Sequence, residues 1–255
     1  GKTGVFQLQS NGSFQVEDLT FSLVVRNPKW ASAIQSSKTI RASADGLRSD
    51  RNGFHLQGDF LVHNGIFKLD ERFAFLPSNR ARYEVSLNSV EPVPCAELCL
   101  EALLPVSRFL AREIRFDGKT VNFGKNYQAK RWVLDLPVKQ IEIPLQTGTL
   151  RMEGNLRVRL QDNRRYQKNG DWSLRILLNP RSGTIGEAGL KLDLHFVRPF
   201  SCPLSFAGAA NMGFADPVAE DHIGGWTDQG PDNDLKMFPS GKQFFAGIPF
   251  RILRP

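Results

Sequence analysis

The chain has 255 residues, 41% hydrophobic and 23% charged, with a formal net charge of +7. That length suits one large all-β unit or two smaller domains, and no apolar run approaches the ~18–20 residues of a membrane span. The basic residues are scattered: Arg151, Arg157, Arg159, Arg164, Arg165 and Arg175 mostly alternate with apolar neighbours, the look of a solvated strand face, so no nucleic-acid partner is expected and an anionic polysaccharide suits the charge better.

In chain order, "GKTGVFQLQSNGSFQVEDL" opens without a basic region leading into an apolar stretch, so no signal peptide is expected within it. A start at Gly1 is also compatible with an export signal already removed. "SFQVEDLTFSLVV" alternates Phe14, Val16, then Leu19, Phe21, Leu23 and Val25. "GDFLVHNGIFKLDERFAFL" places Phe60 and Val62 before Asn64-Gly65, and Phe67, Leu69, Phe73 and Phe75 after it, which predicts a hairpin. "ARYEVSLNSV" continues the period of two with Tyr83, Val85 and Leu87.

"PCAELCLEALLPVSRFLA" departs from that pattern. It predicts a short helix near Ala96–Leu104 stopped by Pro105, with a buried strand as the competing reading. Cys95 and Cys99 lack a nearby second pair of zinc ligands and, like Cys202, read as buried or free thiols; a Cys95–Cys99 disulfide would close a very small loop. A second hairpin turns at Asp117-Gly118 between Ile114, Phe116 and Val121, Phe123. Short alternating runs follow, from "RWVLDLPV" through "QIEIPLQ", "TLRMEG" and "NLRVRLQ" to "LKLDLHFV". "LQDNRRYQKNGDWSLRILLNP" reads as an Arg-decorated hairpin.

These elements predict an all-β fold: a large two-sheet antiparallel β-sandwich, supersandwich-like, over residues 1–199. Past Pro199 the chain turns Gly-, Pro- and Asp-rich, and residues 200–255 predict an irregular C-terminal extension.

The chemistry-bearing residues concentrate in that extension. Asp216, Asp228, Asp232 and Asp234 are the candidate metal ligands, and calcium is the cofactor such oxygen-rich turns suit. The spacing does not follow the EF-hand order, and the competing reading is that these side chains cap turns. Trp226 among Asp228, Asn233 and Asp234 is the candidate carbohydrate contact, since an aromatic face beside carboxylates and amides stacks a sugar ring and bonds its hydroxyls; a plug pinning the loop is the alternative. Asp162 and Asp171 flank one loop but nothing pairs them across a cleft, and no catalytic residue is singled out. His55, His63, His195 and His222 fit no metal or nucleophile motif.

Two segments carry a resemblance. "NMGFAD…GGWTDQGPDNDLKMFPSGKQFFAGIPFRI" resembles a junction in large secreted bacterial glycoside hydrolases and related polysaccharide-degrading proteins, where it opens a galactose-binding-like β-sandwich. "LRVRLQDNRRY…WSLRILLNPRSGTIGEAGLKLDL" is similar to β-sandwich modules beside the catalytic barrels of such proteins. The resemblance implies an accessory, non-catalytic carbohydrate-binding or scaffolding module in an extracellular or periplasmic setting. Its partners would be a polysaccharide or oligosaccharide and the neighbouring domains of a larger protein. The alternatives are a catalytic glycoside hydrolase or polysaccharide lyase, or a purely structural domain. The resemblance also implies that residues 200–255 either pack on the sandwich or open a truncated galactose-binding-like domain.

Overall fold

The computed structural model describes residues 2–3, 5–110, 112–126, 132–166, 170–179 and 183–198. The fold is all-β. In chain order the strands are β1 (Lys2–Thr3), β2 (Phe6–Leu8), β3 (Phe14–Val16), β4 (Leu19–Arg26), β5 (Ser32–Ile34), β6 (Ile40–Asp50), β7 (Gly53–Val62) and β8 (Gly65–Leu76). They continue as β9 (Arg80–Cys95), β10 (Glu97–Leu104), β11 (Glu113–Phe116), β12 (Lys119–Asn122), β13 (Leu134–Pro144), β14 (Thr149–Asp162), β15 (Trp172–Asn179) and β16 (Gly183–Val197). A four-residue helix, α1 (Val106–Phe109), follows β10, and a single 3-10 turn spans Asn163–Arg165.

All strand pairs are antiparallel, and they join into one sheet curled into a half-barrel. Its order is β1-β2-β3-β4-β10-β15-β14-β16-β9-β8-β7-β6, with β5 on β4 and the β11–β12 hairpin carried by β13 beside β14. The expected sandwich therefore has a different construction: one continuous ladder takes the place of two separate sheets. The cause is the length of β14. Its C-terminal half pairs with β15 and its N-terminal half with β16, so one strand serves both wings.

Curling brings the wings face to face. Phe6 of β2 meets Phe73 of β8 edge-on at 5.6 Å between centroids, and Phe14 of β3 lies 5.2 Å from both Phe73 and Tyr83. Strands that far apart in the ladder touch only because the sheet folds over itself. The period of two produces this core directly: Ala81, Tyr83, Val85 and Leu87 point inward from β9 and Leu190, Leu192 and Leu194 from β16. Each fully buried Phe or Leu is worth about 1.5–3 kcal/mol.

Both predicted hairpins form. Gly65 pairs with Val62 across His63-Asn64, one residue earlier than the expected Asn64-Gly65 turn, and Phe116 pairs with Lys119 across Asp117-Gly118. Asp117 and Gly118 both take positive φ, the geometry that a two-residue turn of matching twist requires. The Ala96–Leu104 helix does not form. Glu97–Leu104 is strand β10, pinned between β4 and β15, and the helix starts only after Pro105. Cover on both faces explains the misleading pattern: Leu98, Leu100, Ala102 and Leu104 enter the main core while Cys99 packs with Val24 and Leu177 on the other face. Cys95 and Cys99 are buried free thiols.

Candidate functional site

The outer face of β4, β10, β15, β14 and β13 carries a cluster of charged side chains. Register aligns Glu101 with Arg175, Arg175 with Arg159, and Arg159 with Asp135 in one row across four strands. Arg26 stands opposite Glu97, four residues along β10 from Glu101. The expected solvated face is therefore corrected: the side chains of Arg175 and Glu97 are 6% and 1% exposed. Arg151 and Arg157, nearer the sheet's flank, do keep partial exposure.

The buried charges are held by mutual contact. Glu97 receives Arg26 at 2.8 Å and Arg175 at 3.1 Å on one oxygen, and Arg159 at 3.0 Å on the other. Arg26 also reaches Glu101 at 2.7 Å, and Arg175 donates to Glu101 at 3.1 Å. Ser173 hydrogen-bonds the same carboxylate. Asp135 takes Arg159 at 3.0 Å and Arg157 at 2.6 Å. Burial alone would raise the Glu101 pKa, but the guanidinium groups of Arg26 and Arg175 and the bonds from Ser173 and Arg26 outweigh it and hold the group below the usual carboxylate range. Burial likewise opposes the Arg26 charge, yet Glu101, Cys99 and Glu97 raise its pKa above the ordinary value. Burial and the nearby Glu101 and Glu97 push the Cys99 thiol up, which keeps it protonated and unreactive.

Above this floor lies a cleft of about 530 Å³. Its polar lining is Arg26, Glu101, Gln161, Asn163 and Arg175; its apolar lining is Trp30, Leu103, Trp132 and Tyr166. Trp132, partly buried, covers two cations at once: its ring lies 5.0 Å from the Arg159 guanidinium and 5.3 Å from that of Arg175. Tyr166 is 61% exposed and follows the 3-10 turn that starts with Asn163.

Trp30 is placed differently. It is 42% exposed and takes φ +64, a left-handed conformation unusual for a bulky side chain. The β4–β5 turn enforces it: the Trp30 amide donates to the Asn27 carbonyl at 2.8 Å, and the Asn27 side-chain oxygen accepts from Lys29 and Ala31. Backbone strain of this kind costs about 1–3 kcal/mol and collects at sites where side-chain placement matters.

Trp172 is a plug. It is buried against Phe123 at 4.5 Å and covered by the Arg164 guanidinium, also at 4.5 Å. Asp162 and Asp171 form no catalytic pair. Asp162 caps the 3-10 turn and binds Arg164, while Asp171 accepts from the Val106 amide. Trp226, Asn233 and the acidic residues Asp216, Asp228, Asp232 and Asp234 lie outside the described residues. Among the described residues no group of three His, Cys, Asp or Glu side chains gathers as a metal site would require, and no helix is long and apolar enough to cross a membrane.

Of the cleft residues, only Arg175 was named from the sequence, as part of a solvated strand face. The available signal was polar or charged residues set among apolar ones, Glu97 and Glu101 in "ELCLEALL" and Ser173 and Arg175 in "WSLRILLN". Comparison with family models and with curated proteins finds no match for this chain.

Proposed function

We propose that this chain is a non-catalytic carbohydrate-binding module of a glycoside hydrolase-like, polysaccharide-degrading protein of the secreted bacterial kind, acting in an extracellular or periplasmic setting. The observation that carries this reading is the cleft. Three aromatic side chains, Trp30, Trp132 and Tyr166, share it with Gln161, Asn163, Glu101 and two arginines. Aromatic faces supply apolar contact to the C–H face of a sugar ring, and fixed amides and charges bond its hydroxyls. The strain held at Trp30 fits a side chain kept for contact rather than for folding.

A hydrolase acid needs a carboxyl group whose pKa is raised toward neutrality. Glu101, the carboxylate in the cleft, is shifted the other way. A binding role therefore fits the site better than an acid–base role.

A glycan array with the full chain and its Trp30→Gly variant tests the reading. Glycine relieves the left-handed backbone, so the variant should fold at least as well as the parent. Binding should weaken about tenfold, or ~1.4 kcal/mol. Absence of binding to every glycan by the parent chain would sink the proposal.

A further inference from the structure

We propose that Gln161 and Asn163 are the side chains that select the ligand of this cleft, and that the ligand they select is a neutral saccharide with adjacent free hydroxyls. This inference rests on the carbohydrate reading of the same cleft and adds the residues that read the sugar.

The support is a difference among the polar groups of the lining. The charged ones are spent on each other. Arg26 bonds Glu97 and Glu101, Arg175 bonds the same two carboxylates, and Glu101 also takes the Ser173 hydroxyl. The two amides are not spent. Gln161 is only 7% exposed, yet its side chain makes no hydrogen bond among the described residues, and neither does that of Asn163. Buried polar groups are as a rule hydrogen-bonded, so an orphaned amide costs free energy in the folded protein. A ligand seated in the cleft supplies the missing partners.

The fold holds both amides in place. Gln161 stands opposite Ser173 near the end of β14, and Asn163 follows two positions on, at the start of the 3-10 turn. Asp162 between them caps that turn and binds Arg164, so the turn is fixed without using either amide.

A side-chain amide carries one acceptor oxygen and two N–H donors. A hydroxyl both donates and accepts. One amide therefore bonds two neighbouring hydroxyls, its oxygen accepting from the first and its N–H donating to the second. A carboxylate only accepts, so it leaves the amide oxygens unpaired and facing negative charge. The floor offers an anion nothing in return: the guanidinium groups of Arg26, Arg159 and Arg175 already meet Glu97, Glu101 and Asp135, and Arg157 lies outside the lining.

The test puts the full chain and two variants, Gln161→Leu and Asn163→Ala, on an array of cellohexaose, xylohexaose, mannohexaose and a galacturonic acid hexamer, at low and high salt. The parent should bind at least one neutral probe with an affinity that salt leaves unchanged. Each variant should bind that probe about tenfold more weakly. Gln161→Leu should nevertheless melt no lower than the parent, because leucine replaces an amide with no partner in the protein. A lower melting temperature would assign Gln161 a structural role and overturn the inference. So would variants that bind like the parent, neutral binding that falls with salt, or a parent that takes only the uronic acid or none of the four probes. In these cases a glycan array with hits leaves the carbohydrate reading standing; an empty one removes both.

Discussion

Glu71 and Glu101 are both buried carboxylates on the same sheet, yet their surroundings differ in kind. Glu71 points from β8 into the apolar core, 1% exposed. Its partners are neutral donors: the Tyr83 hydroxyl at 2.7 Å and the Gln35 amide at 2.8 Å. Burial raises its pKa, the two hydrogen bonds recover only part of the shift, and the group ends at about 7. Glu101 lies on the outer face between two guanidinium groups and is held below the usual range. Burial alone therefore does not set the charge of a carboxylate; the charge of its partners does.

The comparison also separates two structural roles. Gln35 bonds Glu71 with its amide nitrogen and the Leu23 amide with its oxygen, so it ties the connection between β5 and β6 to both wings. Gly12, at φ +94, lets its backbone approach the same carboxylate; a Cβ there would collide with it. The Glu71 cluster is thus closed by packing. The Glu101 cluster opens into the cleft.

The largest expected effect is at the hub of the outer network. Glu97→Ala leaves Arg26, Arg159 and Arg175 without their shared partner and should cost about 3–5 kcal/mol in urea unfolding at neutral pH. A loss under about 1 kcal/mol would mean that the network behaves like a solvated surface pair and that the contrast with Glu71 is false.

Glu71→Gln should act in the opposite sense. The folded protein keeps the Glu71 proton to about pH 7, whereas the unfolded chain loses it near the ordinary value of 4.5. The folded state thus binds more protons between these values, and the associated stability, complete below about pH 4.5, is lost as pH rises through 7. The isosteric amide does not titrate, so Glu71→Gln should gain about 3 kcal/mol over the parent at pH 8 and little at pH 4. A parent-minus-variant difference that stays flat across this range would break the comparison.

The smallest effect sharpens it. Tyr83→Phe removes one of the two donors to Glu71 and should cost about 1–2 kcal/mol at pH 8, where the carboxylate is ionised. The cost should be smaller at pH 5, where the protonated group needs fewer donors. Equal costs at both pH values would show that Tyr83 contributes through packing alone.

Much of this fold was legible along the chain because strand side chains alternate strictly between faces. Tyr83, Val85 and Leu87 were assigned inward by that rule alone, and Asp117-Gly118 marked its turn by backbone chemistry, whereas the first hairpin turns one residue earlier than expected, at His63-Asn64. The rule failed at Glu97–Leu104, where cover on both faces removes the alternation between apolar and exposed. It also misjudged Arg175, because alternation says which face a side chain occupies and not what lies above that face. Trp132 belonged to the alternating run "RWVLDLPV", but nothing in that run placed it over Arg159 and Arg175.

By itself, then, the sequence determined most of the strands, the inward set of residues on them and some of the turns, all of which depend on neighbours a few positions away. The tertiary structure alone decided that the wings belong to one ladder and that the outer charges are buried. Arg26 meets Glu97 across 71 positions, and Arg175 meets it across 78. Contacts at such separations depend on which strands become neighbours, and that order follows from the core packing of the whole sheet.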